Sequence, residues 1–365
     1  MLDQPLTRRQ VIATISMFIF GSTAVVGVST SVAQDSWIAF LLGFLISLPI
    51  LLVYGRVAKL HPGEDLYRIF ENTMGKVFGK IAILLMSWYA LHLCALVMRN
   101  FSEFLMITSL TETPQIPVLA VMLVTVALLC RCGPKALGKW AIIAWPVVVG
   151  IVAITVVMSL NIYHYNHILP IFEHKFWEIA KSGFQVFSFP FTEAVLFLGI
   201  ADYFDVRESP YKMYVWGAVI SAIILLFITF RNLFVLGPVV MASSYFPSYM
   251  AARIIAVGEF LSRIEGSISI NFMLAGNVKI TLCLIVASRG FASLLNISDW
   301  KNMVFPVGLV AVGLSQILYQ NTMQMYTFIF YYPYYALPFE IALPFLTWIL
   351  SEVRARRKKT AMAAA

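Results

Sequence analysis

The chain is written almost entirely as apolar runs of membrane-spanning length. A helix needs about 20 consecutive apolar residues to cross the hydrocarbon core of a bilayer. Ten such runs follow one another, at about 10–32, 36–58, 79–106, 116–132, 138–161, 183–204, 211–237, 264–290, 302–319 and 328–351. They are continuous rather than alternating, which argues against an outer-membrane barrel. Charged residues make up 12% of the chain, against about 25% in a soluble domain. The expectation is an all-α integral membrane protein, with residues 1–365 forming one transmembrane domain.

Two of these runs are interrupted in the same relative place. The first interruption is Gly21-Ser22-Thr23, with Gly27 following; the second is Ser188-Phe189-Pro190-Phe191-Thr192-Glu193. Each opens a set of five runs. Paired interruptions in two halves of a membrane protein mark an inverted repeat, whose unwound stretches line a ligand site near the bilayer midplane. The expected architecture is therefore a 5+5 arrangement of ten transmembrane helices. Its repeats cover about 8–161 and 182–351, and a basic tail occupies 352–365. Small residues at Gly21 and Gly27 also permit close helix packing, so that reading stays open.

Pro190 lacks an N–H, so a helix must restart there, with Ser188 or a neighbour as its cap. A restarted helix offers free N–H groups and partial positive charge to the carboxylate of an amino-acid ligand. The alternative is an ordinary proline kink with Glu193 capping the new helix. In the first interruption, freed backbone carbonyls suit an ammonium group.

Charges inside spans cost about 2.5–3.5 kcal/mol each near the centre and so face the bundle interior. On the third span, His92, Arg99 and Glu103 share a helix face, and Arg99 and Glu103 are four residues apart. They read as a structural ion pair or as a polar contact beside the ligand path. On the eighth span, Glu265, Ser269, Phe272, Gly276 and Lys279 share a face; Lys279 either occupies a cation position, pairs with a carboxylate, or snorkels to an interface. On the tenth, Pro333, Pro338 and Pro344 break the helix around Glu340, after the run Tyr331-Tyr332-Pro333-Tyr334-Tyr335. Those tyrosines form either an interfacial belt or a cavity wall.

Most of the 26 Lys and Arg residues lie on one side if both termini are cytoplasmic. The tail Arg354-Ala355-Arg356-Arg357-Lys358-Lys359 then anchors against anionic lipid. The net charge of +8 is spread over short loops with no basic face, which argues against nucleic acid. Between the second and third spans, Leu66, Ile69, Phe70, Met74 and Val77 recur at helical spacing and predict a short helix along the membrane face. Arg8-Arg9 precedes a run with no small-residue cleavage site, which favours a retained span over a signal peptide. Cys94, Cys130, Cys132 and Cys283 lack disulfide or zinc spacing and read as packing residues. No nucleotide-binding, hydrolase or metal motif is present, so neither an enzyme, a cofactor nor a metal is expected.

Three stretches carry a resemblance. Phe189-Pro190-Phe191-Thr192-Glu193, Pro247-Ser248-Tyr249-Met250-Ala251-Ala252-Arg253-Ile254-Ile255 and Gly258-Glu259-Phe260-Leu261-Ser262-Arg263-Ile264-Glu265 together resemble the spore germination permease family. Its members are the B subunits of nutrient germinant receptors and look like a branch of the amino acid–polyamine–organocation transporters. The resemblance covers essentially the whole chain. It implies residence in the spore inner membrane beside an A subunit and a C-subunit lipoprotein, and recognition of a small germinant, often an amino acid. By position it makes Gly21, Ser22, Thr23, Gly27, Phe187, Ser188, Pro190, Thr192 and Glu193 the ligand-binding candidates. Arg99, Glu103, Lys279 and Glu340 become candidates for a polar or coupling path. The function so implied is a nutrient-sensing subunit that signals to its partners; a proton-coupled amino-acid transporter and a water or ion conduit are the alternatives.

Overall fold

The computed structural model describes residues 5–27, 29–255 and 265–364. Among the described residues every regular element is helical, joined by short loops, and one isolated backbone bridge links Leu6 and Phe204. The first interrupted run gives α1 (Arg8–Phe20) and α2 (Thr23–Val26); then follow α3 (Ser36–Leu60), α4 (Leu66–Thr108), α5 (Gln115–Cys132) and α6 (Pro134–Ser159). The second half comprises α7 (Phe176–Val186), a wide turn over Phe187–Phe191, a 3-10 stretch Thr192–Tyr203, α8 (Pro210–Ser243) and α9 (Pro247–Ile254). It continues with α10 (Glu265–Leu295), α11 (Val304–Ile317), α12 (Thr322–Leu337), a second wide turn Pro338–Ala342 and α13 (Leu343–Ala364).

Among the described residues, eight helical stretches are long and apolar enough to cross a membrane. The two expected spans outside that set are short: the first is divided into 13 and 4 residues, and α11 has 14. Large apolar side chains such as Leu45, Val121, Ile143, Phe227 and Ile317 are exposed on the helices' outer faces, as a lipid-facing surface requires. The chain is a multi-pass integral membrane protein.

Glycines set the breaks and the close crossings. Gly75, at φ +80°, divides α4 after Met74. The helix expected over these residues spans Leu66–Met74 with Leu66, Ile69 and Phe70 buried, whereas Val77 lies beyond the break and is 70% exposed. In α10, Gly276 has no room for a β-carbon because the Phe101 ring of α4 fills the space. Phe101 stacks on Phe272 of α10 with centroids 3.6 Å apart. Further along the same crossing, a β-carbon on Gly290 would overlap Ser87. Small residues thus let α4 and α10 approach closely, in the manner of membrane helix pairs.

Cys94, Cys130 and Cys283 are buried, Cys132 is exposed, and all four are free thiols. The segment Gly258–Ile264 of the quoted resemblance lies outside the described residues.

Candidate functional site

The two interruptions meet in the core. Gly21 ends α1 by donating its N–H to the Met17 carbonyl at 2.8 Å, and Ser22 then starts α2. A β-carbon on Gly21 would stand 2.9 Å from Cδ of Lys279 and from the Phe18 carbonyl. Close approach, not a positive φ, is what requires glycine there. Gly27, by contrast, closes α2 at φ +77°, where side chains are strained, and packs on Pro247. The second interruption follows from Pro190. The residue before a proline is driven out of the helical region, and Phe189 takes φ −105°, ψ 111°.

Lys279 and Glu193, both fully buried, form an ion pair at 2.5 Å. The ammonium also lies over two rings, 5.0 Å from the Phe18 centroid and 4.8 Å from that of Phe189. Glu193 Oε1 accepts the Tyr332 hydroxyl at 2.7 Å. Tyr332 in turn lies 3.0 Å from the Tyr89 hydroxyl, which donates to Glu340 Oε1 at 2.7 Å. Glu340 Oε2 accepts from Ser188 at 2.7 Å and Thr192 at 2.8 Å. Tyr54 of α3 closes the set, donating to the carbonyls of Glu340 and Thr192 at 2.5 and 3.1 Å.

A narrow, partly open cavity lies beside this network. Ser22, Asn100, Glu193, Tyr319 and Tyr332 are its polar lining, and Leu93, Leu96, Val97, Phe189, Met325, Phe328 and Ile329 its apolar walls. The Ser22 hydroxyl is buried there with no hydrogen-bond partner. A second, partly open cavity shares Phe189 and Ile329 and reaches Gly27, Ser29 and Gln185.

The expected residues therefore fall into groups. Gly21, Ser22, Ser188, Thr192, Glu193, Lys279 and Glu340 converge on one buried network and its cavity. Gly27 lines the neighbouring cavity. Phe187 and Pro190 are buried, Phe187 stacking on Phe184, and the Thr23 hydroxyl bonds back to the Ile19 carbonyl. Arg99 and Glu103 pair with each other at 2.6 Å. Arg99 also meets Gln115, and Glu103 accepts from Thr322; neither residue is part of the lining of the cavity beside Ser22 and Glu193.

Two expected caps are replaced. Ser188 spends its hydroxyl on Glu340 instead of capping a restarted helix, and Glu193 turns to Lys279 and Tyr332 instead of a helix terminus. A carboxylate beside a buried ammonium gains more than a terminus offers. The tyrosine run divides by helix face. Tyr331 and Tyr334 are 64% and 56% exposed, whereas Tyr332 lines the cavity.

Several participants went unmarked in the sequence. Tyr54, Tyr89 and Asn100 are ordinary span residues until packing brings them together. Arg231 did carry a readable signal, a charge inside the seventh apolar run. It is 1% exposed and donates to Thr155 at 3.0 Å and Asn232 at 2.8 Å. Asn232 donates to Ser248, whose hydroxyl donates to the Ala24 carbonyl, so this cluster ties α8 and α9 to α2. At the end of the bundle where Leu6 meets Tyr203, Arg289 joins Asp202 and Asp65, each at 2.8 Å. Tyr67 donates to the Val286 carbonyl beside it. These contacts join α10, the 3-10 stretch and the start of α4 at that end of the bundle.

A family model described as "Spore germination protein" matches residues 5–325. The chain belongs to the spore germination protein family. Among its relatives is spore germination protein KB of Bacillus subtilis (strain 168), 24% identical over 96% of this chain and 95% of that protein. Putative spore germination protein YfkT of the same organism is 26% identical, over 89% of each chain. The fold is similar to that of MHP1, a nucleobase-cation-symport-1 family transporter solved in a closed conformation with bromovinylhydantoin bound. That likeness has a TM-score of 0.67 at 14% identity, over 94% of this chain and 78% of the transporter. This germination-family member thus has a transporter-like fold.

Proposed function

We propose that the chain is the nutrient-sensing B subunit of a spore germinant receptor, and that it binds a small amino acid in the partly open cavity lined by Ser22, Glu193 and Tyr332. The observation that carries this reading is the unpartnered, buried Ser22 hydroxyl of a cavity that Glu193 also lines. A buried polar group without a partner costs about 1–3 kcal/mol, and a ligand that supplies the partner recovers it. Lys279 neutralises Glu193, so this wall presents dipoles with no net charge. Such a wall suits a zwitterion better than a dicarboxylate or a diamine. The surrounding Leu93, Leu96, Val97 and Ile329 suit an aliphatic side chain.

In this reading the two short segments, α1–α2 and α11, complete ten spans in a 5+5 repeat. Both termini face the cytoplasm from the spore inner membrane, and closure around the germinant passes to the A subunit and the C lipoprotein. A ligand shifts such an equilibrium only by its differential affinity for the two conformations.

Thermal stabilisation of the detergent-purified chain, screened against the twenty amino acids, sugars and nucleosides, tests the binding step. At about 100 times its Kd a ligand stabilises by about 2.7 kcal/mol. A hit lost in Ser22→Ala supports the site; a hit that survives places binding elsewhere. Spores lacking this chain, with its partners intact, lose the response to that nutrient; an unchanged response sinks the receptor reading for it.

The fold shared with a symporter favours a second reading, proton-coupled amino-acid transport. Uptake of the identified ligand into liposomes under a pH gradient separates the two. Binding without uptake leaves the sensor.

A further inference from the structure

We propose that Glu340 carries a proton within the membrane domain, and that the hydroxyls of Tyr89 and Tyr332 relay it to Glu193. The inference goes beyond ligand sensing and does not depend on it.

The hydrogen count along the chain of contacts carries the argument. Glu340, Tyr89, Tyr332 and Glu193 are linked in that order at 2.7, 3.0 and 2.7 Å, and Lys279 ends the line at 2.5 Å from Glu193. Each tyrosine has one hydroxyl hydrogen. If both glutamates were ionised, Tyr89 would donate to Glu340 and Tyr332 to Glu193, and no hydrogen would remain between the two hydroxyls. Two oxygens held at 3.0 Å with only lone pairs facing each other repel. One added proton on Glu340 Oε1 removes the conflict. Glu340 then donates to Tyr89, Tyr89 to Tyr332, Tyr332 to Glu193, and every contact has its hydrogen.

Charge gives the same answer. Glu340 is fully buried, and no ion pair reaches it among the described residues. The groups hydrogen-bonded to its carboxyl are neutral donors, Tyr89 of α4 and Ser188 and Thr192 of the interrupted stretch, and the nearest charged group, Glu193, is itself a carboxylate. The one ammonium of the cluster is taken by Glu193. Two carboxylates facing one ammonium leave one excess negative charge away from water, which a proton neutralises. With the acid hydrogen on Oε1, Oε2 remains free to accept from Ser188 and Thr192, as observed.

The relay step balances. The Glu340 proton moves to Tyr89, the Tyr89 hydrogen to Tyr332 and the Tyr332 hydrogen to Glu193 Oε1. Glu340 becomes the carboxylate, Glu193 the acid, and both tyrosines keep one hydrogen. The outcome is that Lys279 loses its ionic partner while the negative charge moves to Glu340. Because Lys279 lies against Gly21, the proton's position sets whether the cation is held at the first interruption by a carboxylate or by a neutral acid.

Infrared spectroscopy of the full chain in liposomes tests this without any ligand. The expected result is a carboxylic-acid C=O band at neutral pH that shifts in D₂O and shifts again when glutamate is labelled with ¹³C at the side-chain carboxyl. The label separates it from buried Asp35. Glu340→Gln, which has the shape of the protonated acid, abolishes the band; Tyr332→Phe, which cuts the relay, leaves it. Lys279→Met raises the glutamic-acid band about two-fold, because Glu193 then also takes a proton. Absence of the band in the wild-type chain, or its persistence in Glu340→Gln, overturns the assignment to Glu340. An unchanged band in folded Lys279→Met overturns the one-proton, two-carboxylate arrangement.

Discussion

Gly21 lies directly against the aliphatic stem of Lys279: a β-carbon at position 21 would stand 2.9 Å from Lys279 Cδ. The break in the first segment and the cation of α10 are therefore one packed unit. The glycine admits the lysine, and the lysine meets the carboxylate of the second break.

Replacing Gly21 by alanine pushes against Lys279 and against the Phe18 carbonyl, a backbone atom that cannot swing away. Overpacking of this kind costs about 1–3 kcal/mol. Thermal unfolding of Gly21→Ala in detergent is expected to show that loss. Gly150→Ala, where nothing lies within 4 Å, is the control and stays near wild type.

The Lys279–Glu193 pair is expected to be strongly coupled. Removing one partner leaves the other buried and alone, at about 3–5 kcal/mol, whereas removing both relieves much of that cost. In a double-mutant cycle, Lys279→Met and Glu193→Gln each destabilise and the double variant recovers part of the loss. Strict additivity of the two effects contradicts the pairing.

Ser22→Ala is expected to leave folding unchanged or slightly improved, because the hydroxyl has no partner to lose. Ligand affinity falls about tenfold or more, the worth of a hydrogen bond to a charged group at about 1.5–3 kcal/mol. Isothermal titration with the ligand found by the stabilisation screen checks both halves of this expectation.

Arg289 fastens one end of the bundle through Asp202 and Asp65. Arg289→Gln keeps a donor but removes the charge both carboxylates face. A cysteine placed at Ala201, which is 6% exposed, is then expected to react faster with a membrane-impermeant thiol reagent. An unchanged labelling rate removes the case for Arg289 as the fastening of that end.

At the crossing of α4 and α10, Gly276→Ala meets the Phe101 ring, itself stacked on Phe272. Neither ring can yield without unstacking. A loss of several kcal/mol, or failure to fold, is expected in the same unfolding assay, at the large end of what overpacking does.

The membrane class, the continuous apolar segments and both interruptions were legible in the sequence because each rests on local physics. A bilayer demands apolar length, and proline and glycine act on their own backbone and nearest neighbours. The pairing of Arg99 with Glu103 was legible for the same reason, since four residues along a helix is a local distance. What lies across the bundle was not. Lys279 read equally well as snorkelling outward or seeking a carboxylate, and only the packing of α10 on the interrupted stretch decided for Glu193. Glu340 lies 147 or more residues from Ser188, Thr192 and Glu193, yet it accepts the hydroxyls of Ser188 and Thr192 and is linked to Glu193 through Tyr89 and Tyr332. Tyr54, Tyr89 and Tyr332 look like any aromatic residue of a span. Their value comes from packing: Tyr89 and Tyr332 are placed between two buried carboxylates, and Tyr54 on the carbonyls of Glu340 and Thr192. No property of a single apolar run specifies which of its faces will meet another.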